Sequence, residues 1–102
     1  MYAVIRRYKF GANESEEINR QVREGFVPLI RESPGFIDYY WLDTGKGEAA
    51  SFSVFEDKAG AEDSIRLAAD YVREHLASVL GQPEIIEGEV EAHEFQEAQA
   101  NV

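Results

Sequence analysis

Two stretches of apolar residues at helical spacing alternate with runs of β-forming residues in the order β-α-β-β-α-β. That order constrains the fold of this 102-residue chain more than any other feature of it. Tyr2 to Phe10 opens as a strand and Gly11-Ala12-Asn13 ends it. Asn13 and Glu16 have the spacing of a capping box for the helix that follows. Ile18, Val22, Phe26, Leu29 and Ile30 form its apolar stripe, and Ser33-Pro34-Gly35 stops it. Pro28 lies inside the stripe, so the helix is expected to bend near Glu24 and Gly25. Phe36 to Asp43 and Glu48 to Glu56 read as a hairpin around Thr44-Gly45-Lys46-Gly47. Asp57 is placed to cap a second helix, with its stripe running from Ala61 through Ile65, Ala68, Val72 and Leu76 to Leu80. Gly81-Gln82-Pro83 ends it, and a last strand spans about Glu84 to Phe95. The reading is one domain over 1–95 and a polar tail over 96–102.

Right-handed crossovers put both helices on one face of a four-stranded antiparallel sheet, an α+β, ferredoxin-like arrangement. A sheet covered on one face alternates apolar and polar residues along each strand. These strands do not. Val4 and Tyr8 oppose Ala3 and Ile5; Phe36, Tyr40 and Leu42 oppose Ile37, Tyr39 and Trp41; Phe52 and Val54 oppose Ala49 and Phe55. The second apolar face needs a cover, and the expected cover is another copy of the chain, packed sheet to sheet as a homodimer.

Charge and composition exclude several function classes. Ten basic against twenty acidic side chains give a net charge of −10, which repels the phosphates of nucleic acid and anionic membrane surfaces. No run of eighteen apolar residues offers a membrane span, and the N-terminus lacks the pattern of a signal peptide. Without cysteine there is no disulfide, thiolate nucleophile or zinc ribbon, and the cytoplasm is the default location. No phosphate-cradling glycine loop and no nucleophile elbow occurs.

The Ser33-Pro34-Gly35-Phe36 step into the hairpin, the stretch Ala68-Ala69-Asp70-Tyr71-Val72-Arg73-Glu74-His75-Leu76 and the closing Gly88-Glu89-Val90-Glu91-Ala92-His93 resemble the antibiotic biosynthesis monooxygenase (ABM) family of dimeric α/β barrels. The resemblance covers residues 2–95. It implies a ligand pocket within each protomer, between sheet and helices, and two sheets closing a barrel. It also implies a superfamily of cofactor-free oxygenases acting on polyphenols, heme degraders, isomerases and members without a known reaction. The heme-degrading branch carries an Asn on the first strand, a Trp early in the second helical region and a His on the helix. The matching positions here are Arg6 or Arg7, a place near Ser64, and His75. Two of the three are absent, so the resemblance implies no heme and no other cofactor.

Arg6 stands mid-strand between Val4 and Tyr8, and a charge on an apolar strand face needs a partner or a cavity. It is the candidate clamp for a phenolate, carboxylate or enolate; the alternative is an ion pair with Glu87, Glu89 or Glu91 on the last strand. His75, just off the apolar stripe, is the candidate general base. Tyr8, Tyr40, Trp41 and Phe52 are the candidate substrate-binding side chains, whose alternative role is core or interface packing. His75 has no His or Asp at i+4 to join it as a metal ligand, and Glu87, Glu89 and Glu91 are spread about 7 Å apart along their strand, which favours a solvated edge over a metal site; no metal is expected. The resulting expectation is a cofactor-free monooxygenase for an electron-rich aromatic or enolisable compound. The competing one is a non-catalytic dimeric ligand-binding or stress-related module on the same scaffold.

Overall fold

Strands β1 (Tyr2–Lys9), β2 (Phe36–Asp43), β3 (Glu48–Phe55) and β4 (Glu84–Glu89) form one antiparallel sheet in the order β2-β3-β1-β4. The structure is a computed structural model and describes residues 1–96; the expected fraying of the tail beyond Gln96 falls outside the described residues. The first helical layer comprises α1 (Ser15–Gln21), a π-helical turn over Val22–Phe26, and α2 (Val27–Ile30). The second is α3 (Lys58–His75). Each crossover passes over one strand, so both layers cover the same face, and the α+β ferredoxin-like fold is the one expected from the sequence.

The core lies between that face and the helices. Val4, Tyr8 and Phe55 from the sheet meet Ile18, Val22, Phe26 and Ile30 from the first layer, and Ala61, Ala68, Tyr71 and Leu76 from the α3 region. Phe26 is its hub, with ring centroids 5.7 Å from Tyr39 and 5.6 Å from Tyr71. Each such tilted pair adds about 0.5–1.5 kcal/mol to the burial of the rings.

The π turn sits where the proline was expected to act. Pro28 has no N–H to donate, and its ring crowds the preceding turn, so the helix widens over Val22–Phe26 instead of ending. Gly25 in that turn lets Tyr71 approach. A Cβ there would run into Tyr71 Oη and stand 3.0 Å from Cζ. The Tyr71 hydroxyl donates to Gln21 Oε1 at 2.8 Å, which ties α3 to the widened turn.

Several boundaries differ from the sequence reading, each for a local reason. Asn13 lies in a 3-10 turn (Ala12–Glu14), and no side chain caps α1. Asp57 does cap α3, accepting from the Gly60 N–H at 3.0 Å. α3 ends at His75; beyond it the Leu76 and Leu80 N–H groups each donate to a carbonyl four residues back, and Leu76 and Leu80 anchor the connector in the core. β4 stops at Glu89 because its partner β1 runs out: the Val90 N–H donates to the Met1 carbonyl at 2.9 Å, and residues 91–96 have no strand to pair with. A register shift between Phe36 and Asp38 places one extra residue in β2. Phe36 and Tyr39 therefore both face the core, although simple alternation puts them on opposite faces. Trp41 is also on the helix side, packed against the core, and so is no part of the apolar face left for a second copy to cover. That outer face still presents Ile37, Tyr40, Leu42, Phe52 and Ile86 to solvent.

Candidate functional site

Val4, Arg6 and Tyr8 alternate along β1 toward the helices, and all three are buried. Arg6 is only 2% exposed. Its neighbours across the sheet are Ser51 on β3 and Ile85 on β4. Among the described residues no carboxylate reaches it. The ion pair with Glu87, Glu89 or Glu91 does not form; Arg7, one residue on and facing outward, takes Glu48 and Glu84 at 3.1 Å each. Arg6 Nη1 and the Ser51 hydroxyl are buried without a hydrogen-bond partner among the described residues. A buried charge without an ion-pair partner and a buried hydroxyl without a partner are both costly, and these two lie side by side; the Ser53 hydroxyl on β3 is the third such group.

Arg6 and Ser51 border a small cavity between sheet and helices with an internal volume of about 20 Å³, room for one water-sized group. Its walls include Tyr8, Tyr39, Trp41 and Tyr71, and no Asp or Glu among the described residues. Burial pushes the Tyr39 hydroxyl well above the ordinary tyrosine range and raises that of Tyr8, and the Arg6 charge opposes each rise only in part. Both are therefore neutral hydrogen-bond donors at neutral pH, not bases. Trp41 is held from behind: its Nε1–H donates to Asn19 Oδ1 at 2.8 Å, and Asn19 Nδ2 donates to Asp43 at 2.9 Å. The Asn19 and Gly45 N–H donors hold the Asp43 carboxyl below its usual range.

A larger groove of about 480 Å³ adjoins the cavity on the β4 side. Arg6, Tyr8, Val72 and Leu80 line both, and the connector Leu80-Gly81-Gln82-Pro83 forms the outer rim. The groove has the volume of a small-molecule site, and the cavity has the volume of one substituent. An aromatic ring system in the groove can therefore direct a single oxygen inward to Arg6 and Ser51.

Of the six candidates, the structure brings Arg6, Tyr8 and Trp41 together and leaves the other three elsewhere. Tyr40 and Phe52 point away from the helices and stack on each other at 6.5 Å on the outer face. His75 is exposed at the end of α3, its ring 4.4 Å from that of Tyr71, and lines neither the cavity nor the groove. Three further side chains line the cavity: Tyr39, Ser51 and Tyr71. Strand alternation puts Tyr39 with Trp41, and Tyr71 follows Ala68 by three on the apolar stripe, so both carried a signal. Ser51 had none, because only the strand register sets it opposite Arg6.

No protein-family model matches the chain, and no curated protein matches it. Solved structures do. A protein of unknown function from Nitrosomonas europaea superposes with a TM-score of 0.78 at 20% identity over 95% of both chains. A monooxygenase from Streptomyces coelicolor, solved in complex with nanaomycin D, gives a TM-score of 0.73 at 16% identity, over 93% of this chain and 91% of that one. A heme degrader from Mycobacterium tuberculosis, with two hemes in its active site, gives 0.73 at 17% identity, over 93% and 100%. The fold is thus shared with these proteins and with a putative antibiotic biosynthesis monooxygenase from Deinococcus radiodurans, which gives a TM-score of 0.69 at 14% identity over 94% of this chain and 99% of that one. The donor set does not fit heme: neither of the two histidines lines the cavity or the groove.

Proposed function

We propose that the chain is an ABM-like protein that binds an electron-rich phenol or enol as its anion and oxygenates it without a cofactor. The observation that carries the reading is Arg6, buried at the cavity that adjoins the groove, with no carboxylate beside it and its Nη1 without a partner among the described residues. A guanidinium in that position lowers the pKa of a bound phenol or enol by favouring its charged form. The ligand's proton passes to solvent through the groove, so the site needs no general base, in keeping with the exposed position of His75. The anion then transfers an electron to O₂, and recombination forms a C–O bond. For an anthrone-type methylene, protonation to the hydroperoxide and loss of water complete the balance: CH₂ plus O₂ gives C=O plus H₂O. Arg6 holds the oxyanion throughout, Ser51 and Tyr39 supply neutral hydroxyls beside it, and Trp41 walls the ring. The likeness to a monooxygenase solved with a small-molecule ligand supports this reading.

The test is oxygen uptake against a panel of hydroquinones and anthrones, with Arg6→Met as the control. Uptake that exceeds the uncatalysed rate and is lost in the variant is expected. Tight binding of the same compounds without uptake would favour the non-catalytic ligand-binding module.

The proposal includes a homodimer. Tyr40 (57% exposed), Leu42 (55%) and Ile86 (60%), with Ile37 and Phe52, leave an apolar patch on the helix-free face larger than lone surface residues account for. A second copy sheet to sheet would cover it at an interface of about 1,200–2,000 Å².

A further inference from the structure

The groove beside Arg6 has an unusual charge pattern for this protein. The chain carries twenty acidic residues and ten basic ones, yet among the described residues no Asp or Glu lines the groove, and the two charged residues that do are both arginines. Arg6 lies at the inner end, shared with the small cavity. Arg73, on the last turns of α3, lies at the outer end, with its side chain 66% exposed. Ile65, Ala69, Val72, Ala77 and Ile85 give the space between them apolar walls. A cation at each end of an apolar slot matches a ligand with an acidic group at each end of a ring system.

We infer that the ligand carries a second acidic group, a carboxylate, and that Arg73 binds it at the groove mouth while Arg6 holds the phenolate or enolate inside. This deepens the proposed function and rests on the reading of Arg6 as the anion clamp. Arg73 is not free of competition. Its Nη2 donates to Asp70 Oδ1 at 2.6 Å, one turn back on the exposed side of α3. An exposed pair at i,i+3 is weak, and the guanidinium has further N–H donors in its fork. A ligand carboxylate, partly shielded from water by the groove, can share or displace Asp70. The same charge pattern draws anions toward the groove in a protein whose overall charge repels them. Arg73 is therefore a specificity residue: it selects the acid over the neutral analogue and takes no part in the oxygen chemistry.

The experiment uses calorimetric titration of the full chain with 1-naphthol and a series of hydroxynaphthoic acids that carry the carboxylate at different ring positions. The wild type should bind the best acid about fivefold or more tighter than 1-naphthol, with the advantage shrinking as salt rises. Arg73→Gln should abolish that advantage and leave 1-naphthol affinity within about twofold. Asp70→Asn should tighten the acid alone. Arg6→Met should weaken both compounds. If 1-naphthol binds but no carboxylate improves on it, or if Arg73→Gln weakens both compounds equally, the second acidic group is refuted and Arg6 stands. If wild type and Arg6→Met behave alike toward 1-naphthol, the Arg6 reading falls and the inference falls with it.

Discussion

Replacing Arg6 with Met should make the ligand-free protein more stable while destroying its binding site. Arg6 is 2% exposed and has no carboxylate partner among the described residues, so folding strips its guanidinium of water without a compensating ion pair from them. Exchanging buried charges for apolar side chains of similar volume stabilises proteins by about 1–4 kcal/mol, and methionine follows the aliphatic stem of arginine closely enough to pack beside Val4 and Tyr8. For a domain of this size each kcal/mol moves the melting temperature by about 4–8 °C, so a rise of about 5 °C or more is expected. The assay is urea unfolding followed by fluorescence of Trp41, the only tryptophan and a wall of the cavity, with calorimetric melting alongside. Both proteins must be compared at one protein concentration, since dimerisation couples stability to it. A variant destabilised by about 1 kcal/mol or more would refute the reasoning, because Arg6 would then be holding the fold together.

Gly25→Ala should destabilise by about 1–3 kcal/mol, since its Cβ needs the space that Tyr71 fills. Tyr71→Phe alone should cost about 1 kcal/mol, and the double variant less than the sum; additive losses would show that the two sites do not meet. Burial raises the Tyr8 and Tyr39 hydroxyls above the usual tyrosine pKa, so between that value and their folded values the native state holds protons that the unfolded state has lost. Stability should therefore be unaffected by these groups below about pH 10 and fall above it; phenolate absorbance that rises fully at the ordinary tyrosine pH before unfolding would contradict this. Light scattering after size exclusion should give about twice the 11.5 kDa of one chain, and Tyr40→Glu with Leu42→Glu should halve that mass; a wild-type monomer at micromolar concentration would remove the dimer. A heme titration should show no stoichiometric Soret shift that depends on His75, and such a shift, lost in His75→Ala, would overturn the reading of the donor set.

The fold was legible because its elements are strongly periodic. The stripe from Ile18 to Ile30, the β-rich runs and the Asp57 cap all agree with the tertiary structure that uses them. Even the irregularity at Pro28 could be foreseen, although its form as a π turn could not, because a missing N–H and a crowding ring are met equally by a bend or by a widened turn. The site was half legible. A charge on an apolar strand face pointed to Arg6 as a candidate without any coordinates, and the structure places it, with Tyr8 on the same face, at the cavity. Tyr40 and Phe52 were chosen for their aromatic character against the alternation of their own strands, which turns them outward. His75 was chosen for its chemistry, but α3 ends there and leaves the ring at the surface. Ser51 and the groove arise from strand register and from the path of the connector after α3, and neither is written in local sequence.

The central claim is that Arg6 binds an oxyanion, and the ionisation state of a bound phenol reports on it directly. A nitrophenol whose phenolate absorbs at its own wavelength should be titrated with pH in the presence of excess protein. The bound compound should ionise about one pH unit or more below the free compound in the wild type, and not in Arg6→Met. A phenol that binds in its neutral form, or that ionises identically in both proteins, would contradict the claim.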